Sequence, residues 1–348
     1  MKKFDYCIGN PPYNADFSDS GDNGKYAKPV YNEFMDAANT VANSVELVHP
    51  ARFLFNAGST PKSWNEKMLQ DEHFKVLYYE ADASKVFPAT EIKGGVAITY
   101  HDFKRNFGSI GLFIPMPELR SVVGKVQAIE KDNKPISSIA VSGYSYHFTE
   151  IMFEEHPKLK NRQSAGHQYD LKSNVFDKLP EVFKTKMPRD EKNYARILGR
   201  ENNERCYKYI DRRYINDVEN FDAYKIFLPK ASGIGEFGEA LTNPILSEPG
   251  CGSTETFFSI GKFSLEEEAE ALRKYLSTKF ARALLSILKK TQMLTPGSFD
   301  YVPLQDFTAT SDIDWSKSIQ DIDLQLYRKY NLSDEEANFL ESHVKEMA

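Results

Sequence analysis

Asn10-Pro11-Pro12-Tyr13 follows directly on the apolar run Phe4–Ile8 and the Gly9 that closes it. These four residue types in this order have a chemical use. Two successive prolines lock the backbone and remove the amide donors that would otherwise compete for the preceding carbonyls. What remains is a rigid pair of acceptors, the Asn10 side-chain oxygen and the Pro11 backbone carbonyl, beside the aromatic face of Tyr13. Such a pair suits a planar amino group conjugated to a ring, as in adenine N6. That amine is a poor nucleophile because its lone pair is delocalised. Accepting a hydrogen bond from each of its N–H groups favours a more tetrahedral nitrogen, so preorganised electrostatics takes the place of a strong general base.

The elements that must hold this motif read as alternating strand and helix over the first hundred residues. Phe4–Ile8 is an apolar strand, and a polar loop spans Ala15–Lys28. Phe34, Ala37, Ala38 and Val41 lie at helical spacing. Further strands are expected at Val45–Val48, Phe74–Tyr79 and Gly95–Tyr100, with a helix over Ser63–Gln70. Strands separated by helices predict a largely parallel sheet with helices on its faces. In an open sheet of that kind, ligands sit beyond the carboxyl ends of the strands, where Asn10 projects.

"FDYCIGNPPYN" resembles motif IV of S-adenosylmethionine-dependent amino-methyltransferases, in particular the adenine-N6 DNA methyltransferases of restriction–modification systems. "YNEFMDAANTVA" is similar to the helix after their catalytic loop, and "VELVHPARFLF" to the next strand. "ADASKVFPATEIKGGVAITYHD" is similar to their motif VIII region, and "YKIFLPKASGIGEFGE" and "FDYVPLQDF" to their target-recognition regions. The resemblance implies that Asn10 and Pro11 accept from the adenine amino group and that Tyr13 and Phe87 hold the flipped base between aromatic faces. It implies further that Asn10 and Pro12 line the methionine end of S-adenosylmethionine. Extruding a duplex base costs a few kcal/mol, which aromatic stacking of about 1–3 kcal/mol per base helps offset.

The same family places a Gly-rich cofactor turn and an acidic residue ahead of this motif. Only Met1, Lys2 and Lys3 precede Phe4, so the expectation is a partial Rossmann-like methyltransferase sheet containing the later strands only. The cofactor-binding half would then come from a second polypeptide or a missing N-terminal segment. Gly233 to Gly238, "GIGEFG", matches a dinucleotide-type pattern, but Pro244 and Pro249 follow too soon for the helix that pattern needs. It reads instead as a loop of the recognition region, near the DNA backbone.

Past Arg105 the pattern changes to short strands, aromatics and turns, and the expected division is 1–110 for the catalytic half and 111–348 for a mixed α+β target-recognition domain with C-terminal helices. One long helix is expected over Glu266–Leu288, and a final helix at "SDEE", where Ser333 and Glu336 have capping-box spacing. The net charge is −6, yet His156–Gly235 carries a local basic excess, as in a chain that grips a polyanion with one part only. Arg196, Arg200, Arg212 and Arg213, interleaved with tyrosines, together with Lys289 and Lys290, are the candidate contacts to double-stranded DNA. Three scattered cysteines exclude a disulfide framework or zinc site and suit a reducing cytoplasm. No apolar run approaches the length of a membrane span. Two alternatives stay open: a DNA-binding specificity subunit or remnant without its own activity, and a methyltransferase acting on a protein glutamine or an RNA guanine.

Overall fold

A computed structural model describes residues 2–14, 28–88, 92, 94–131, 134–289 and 291–347. Most of the expected Ala15–Lys28 loop and Lys290 lie outside the described residues. The chain divides into two compact units, Met1–Pro115 and Met116–Ala348.

The first unit runs β1 (Phe4–Gly9), α1 (Tyr31–Val41), β2 (Ala42–Pro50), α2 (Lys62–Gln70), β3 (Phe74–Glu80) and β4 (Val96–Asp102). Its sheet has the order β1-β2-β4-β3. β1 and β2 are parallel, with Gly9 level with Leu47. β4 is antiparallel to both of its neighbours. The expectation of a largely parallel sheet holds for the direction of three of its four strands and fails for their pairing. β1, β2 and β3 share one direction, but β4 inserts between β2 and β3 against them, leaving one parallel hydrogen-bonded pair. The place of β4 depends on pairing partners far apart in sequence, which local periodicity does not report.

The face that α1 buries also differs from expectation. Tyr31, Met35 and Ala38 are buried, while Phe34 and Ala37 are exposed. Both sets have helical spacing, and the sheet decides between them. Tyr31 and Met35 join Phe53, Trp64, Met68 and Phe74 in one core. His49, near the end of β2, is fully buried there. It stacks on Tyr31 with ring centroids 5.8 Å apart, and its Nε2 lies 2.6 Å from Thr99 Oγ1. Burial pushes its pKa down to about 4.

The second unit contains α3 (Pro117–Ile129), β5 (Ala140–Val141), α4 (Glu150–Glu155), α5 (Val175–Lys178), β6 (Tyr194–Glu201), β7 (Glu204–Asp211), β8 (Tyr224–Pro229), β9 (Ile245–Ser247), β10 (Cys251–Ser253) and β11 (Phe257–Phe263). It closes with α6 (Glu266–Ser277), α7 (Lys279–Leu285), α8 (Ile319–Lys329) and α9 (Asp334–His343). Its strands form two sheets, β10-β6-β7 and β5-β11-β8-β9. The capping box at Ser333 is present: Glu336 N donates to Ser333 Oγ at 3.3 Å, and Ser333 N to Glu336 Oε2 at 2.6 Å.

The single helix expected over Glu266–Leu288 is instead two. Thr278 breaks it with an extended backbone (ψ 152°), and its hydroxyl accepts from Ala281 N at 3.1 Å. The Asp323 carboxylate accepts from Lys279 N and Phe280 N, both at 2.9 Å, and so caps the new helix start. Among the described residues no helix is long and apolar enough to cross a membrane.

Candidate functional site

Because β1 and β2 are parallel, their carboxyl ends lie at the same end of the sheet, and the chain leaves β1 there directly into Asn10. Asn10 and Pro12 are exposed, whereas Pro11 and Tyr13 are half-buried. The far side of the motif is pinned where Val30 N donates to the Tyr13 carbonyl at 3.1 Å. Among the described residues nothing donates to the Pro11 carbonyl, and Pro12, next in the chain, has no amide hydrogen to offer. The Tyr13 hydroxyl is shut off from solvent and makes no hydrogen bond of standard geometry among the described residues. Burial raises its pKa, and the adjacent Asn10 side chain partly opposes that.

Phe87 follows the turn at Ala83–Lys85, which is tightened by the Asp82 side chain accepting from Ser84 N at 3.1 Å and by Phe87 N donating to Ala83 O at 2.8 Å. The structure brings Tyr13 and Phe87 together, with ring centroids 6.4 Å apart at an interplanar angle of 66°. That is an edge-to-face contact of the two rings with each other. They do not face one another across a slot, so a base would enter between them only after one ring turns.

In the second unit the candidate arginines separate by partner. Arg212 lies over the Phe221 ring at 4.2 Å, donates to Ile215 O at 2.6 Å and is paired with Asp217. Arg213 is held by Asp211 and Glu155, each at 2.8 Å. Arg196 donates to Cys251 Sγ at 3.0 Å, lies over Tyr207 at 4.5 Å and meets Glu248 at 3.6 Å. These three brace the fold. Arg200 differs: it donates to the Asn203 carbonyl at 2.9 Å, and among the described residues no carboxylate pairs with it.

The expectation for Lys289 is corrected. It is 2% exposed and bonded to the Glu239 carboxylate, so it points inward. The same carboxylate accepts from Ile234 N at 2.6 Å and Gly235 N at 3.0 Å. Gly233 to Gly238 is thus a loop with two of its amides bonded to the buried Glu239 carboxylate, and no helix follows it. No sequence spacing announces a further cluster: Tyr144, half-exposed, carries Lys230 Nζ 3.4 Å from its ring centroid and Lys172 Nζ at 5.8 Å. Its members lie far apart in the chain and meet only through the fold.

Residues 1–87 match the family model of the Eco57I restriction-modification methylase. A curated protein of Mycoplasma pneumoniae described as an uncharacterized adenine-specific methylase is 29% identical over 108 residues. The resemblance to adenine methyltransferases of restriction–modification systems is upheld. That match covers 31% of this chain and 25% of the relative, so the chain aligns with about a quarter of the relative's length. Among solved structures, the type IIG restriction endonuclease BpuSI matches with a TM-score of 0.34 at 11% identity, over 92% of this chain and 49% of that one.

Proposed function

We propose that this chain takes part in site-specific methylation of adenine N6 in double-stranded DNA, within a restriction–modification system. The observation that carries the reading is the motif at the carboxyl end of β1: the exposed Asn10 side chain and a Pro11 carbonyl to which no described residue donates, on a locked backbone, with the Tyr13 and Phe87 rings beside them. Asn10 Oδ1 and the Pro11 carbonyl accept from the two N–H groups of the adenine amine and localise its lone pair on nitrogen. One of the two rings turns to admit the flipped base, which then stacks against them. S-adenosylmethionine, when bound, supplies an electrophilic methyl group. The open wall formed by the exposed Asn10 and Pro12 fits its approach to that nitrogen.

The rest of the cofactor pocket is assigned to a second polypeptide or a further segment. β1 is an edge strand whose Phe4, Tyr6 and Ile8 are 59%, 69% and 77% exposed. An apolar edge of this kind supports completion of the sheet by another strand.

The test has two parts. Calorimetry of the full chain with S-adenosylmethionine, followed by duplex DNA, reads binding. Transfer of labelled methyl from S-adenosylmethionine to duplex adenine reads activity, for the full chain alone and with the cofactor-binding half supplied. Asn10→Ala is expected to lower transfer by about 10²-fold or more with duplex affinity unchanged. Transfer that survives Asn10→Ala would sink the assignment. Duplex binding without transfer under either condition would favour a specificity subunit.

A further inference from the structure

A cavity of about 380 Å³ opens in the second unit between the tip of the β6–β7 hairpin and the β8–β11 sheet. Arg200, Asn203 and Arg205 line it from the hairpin, and Thr242, Thr256 and Phe257 from the other side. We infer that this cavity binds a phosphate, the phosphodiester of a nucleic-acid strand, and that it does so without reading sequence. The inference rests on the DNA reading above and names where the backbone is held.

Charge is the first ground. Arg200 and Arg205 stand directly opposite each other across the hairpin, an arrangement of like charges that costs stability unless an anion sits between them. Neither is paired with a carboxylate among the described residues, and no carboxylate lines the cavity. Glu201 and Glu204, the next cross-strand pair, lie on the opposite face by strand alternation, and Glu201 is taken by Lys208 at 3.0 Å. Arg196, Arg212 and Arg213 all have acidic partners, whereas the two hairpin arginines have none among the described residues and share one cavity.

Donor supply is the second ground. Ser232 Oγ donates to Thr242 Oγ1 at 3.3 Å, and Thr254 Oγ1 donates to Thr256 Oγ1 at 3.2 Å. Each cavity threonine therefore accepts from within the protein and keeps its own hydroxyl proton for a ligand. Two guanidinium groups and two free hydroxyl protons converge on one space, a donor set that calls for an oxyanion rich in acceptors.

Shape is the third ground. The backbone is held open by the left-handed turn residues Asn202 and Asn203 (φ 50° and 67°), while Arg205 rests 5.8 Å over the Phe257 ring. Phe257 is buried, so the cavity offers no aromatic face for a base. The volume lies at the lower end of the range for ligand pockets, about 300–1,000 Å³, which is room for a phosphate with its sugar.

The experiment compares the full chain with Arg200→Gln/Arg205→Gln, an exposed hairpin tip at which folding is checked by circular dichroism. Binding to labelled duplexes of several unrelated sequences is measured from 50 to 200 mM salt. The expected result for the double variant is an affinity loss of about tenfold or more, equal for all sequences, with the plot of log K against log salt shallower by about 2. Thr256→Val is expected to weaken binding a few-fold with that slope unchanged. Unaltered affinity and slope in the double variant would overturn the inference. Titration with inorganic phosphate separates the sources: an arginine-dependent signal without any duplex binding overturns the strand assignment and leaves a free-phosphate site. Arginine-dependent duplex binding in a chain with no methyl transfer under any condition would leave the cavity standing and remove the methyltransferase reading.

Discussion

His49 shows how one buried side chain ties the first unit to pH. Its folded pKa, about 4, lies below its ordinary value of 6.5 because the ring is fully buried. Above pH 6.5 the ring is neutral in both folded and unfolded chains, and its contribution is fully present. Between pH 6.5 and 4 the unfolded chain takes up a proton that the folded one refuses, so stability falls as pH falls. The loss reaches about 3 kcal/mol at the lower end. Urea titrations followed by Trp64 fluorescence in a Trp315→Phe background are expected to show the midpoint dropping across that window. His49→Gln, which does not titrate, should flatten the curve even if it lowers the plateau.

Among the elements, the tightest fit is where Gly143 meets the start of β11. A Cβ on Gly143 would lie 1.8 Å from the Phe257 carbonyl oxygen, a backbone atom that has nowhere to go. Gly143→Ala is therefore expected to destabilise the second unit by about 3 kcal/mol. Thr278→Ala, which removes both the cap on α7 and the hydroxyl's bond to the Tyr275 carbonyl, should cost about 2 kcal/mol in the same urea titration. What was legible in the sequence follows the range of the interaction. The capping box at Ser333 and Glu336 spans four residues and reads directly. The break at Thr278 is imposed in part by Asp323, which lies 45 residues on in the chain and has no sequence signal. The buried face of α1 was ambiguous for the same reason, since only the sheet chooses Met35 over Phe34. At the candidate site, Asn10 to Tyr13 is one contiguous motif and is legible as such. Arg200 and Arg213 look alike in sequence and differ only in whether a carboxylate folds against them.

For the whole molecule, the division at Pro115 and Met116 carries its own expectation. The second unit has its own core around Phe148, Phe176, Ile197 and Phe227, enough apolar burial to fold independently. A 116–348 fragment is expected to unfold cooperatively in circular dichroism and to keep duplex affinity within a few-fold of the full chain. A fragment without a cooperative transition would mean that the units are stable only together. The N-terminal family match ends at residue 87, inside the first unit.

The clasp of Glu239 on the Gly-rich loop has a consequence for how that loop can be repaired. Its carboxylate fills a nest made by two backbone amides and the Lys289 ammonium. Glu239→Ala would leave a carboxylate-shaped vacancy lined by a buried cation. Small carboxylates fit such a hole, so formate or acetate in the buffer should restore much of the lost Tm in the variant and leave the unmutated chain unchanged. The side chain would then behave as a tethered ligand, replaceable from solution.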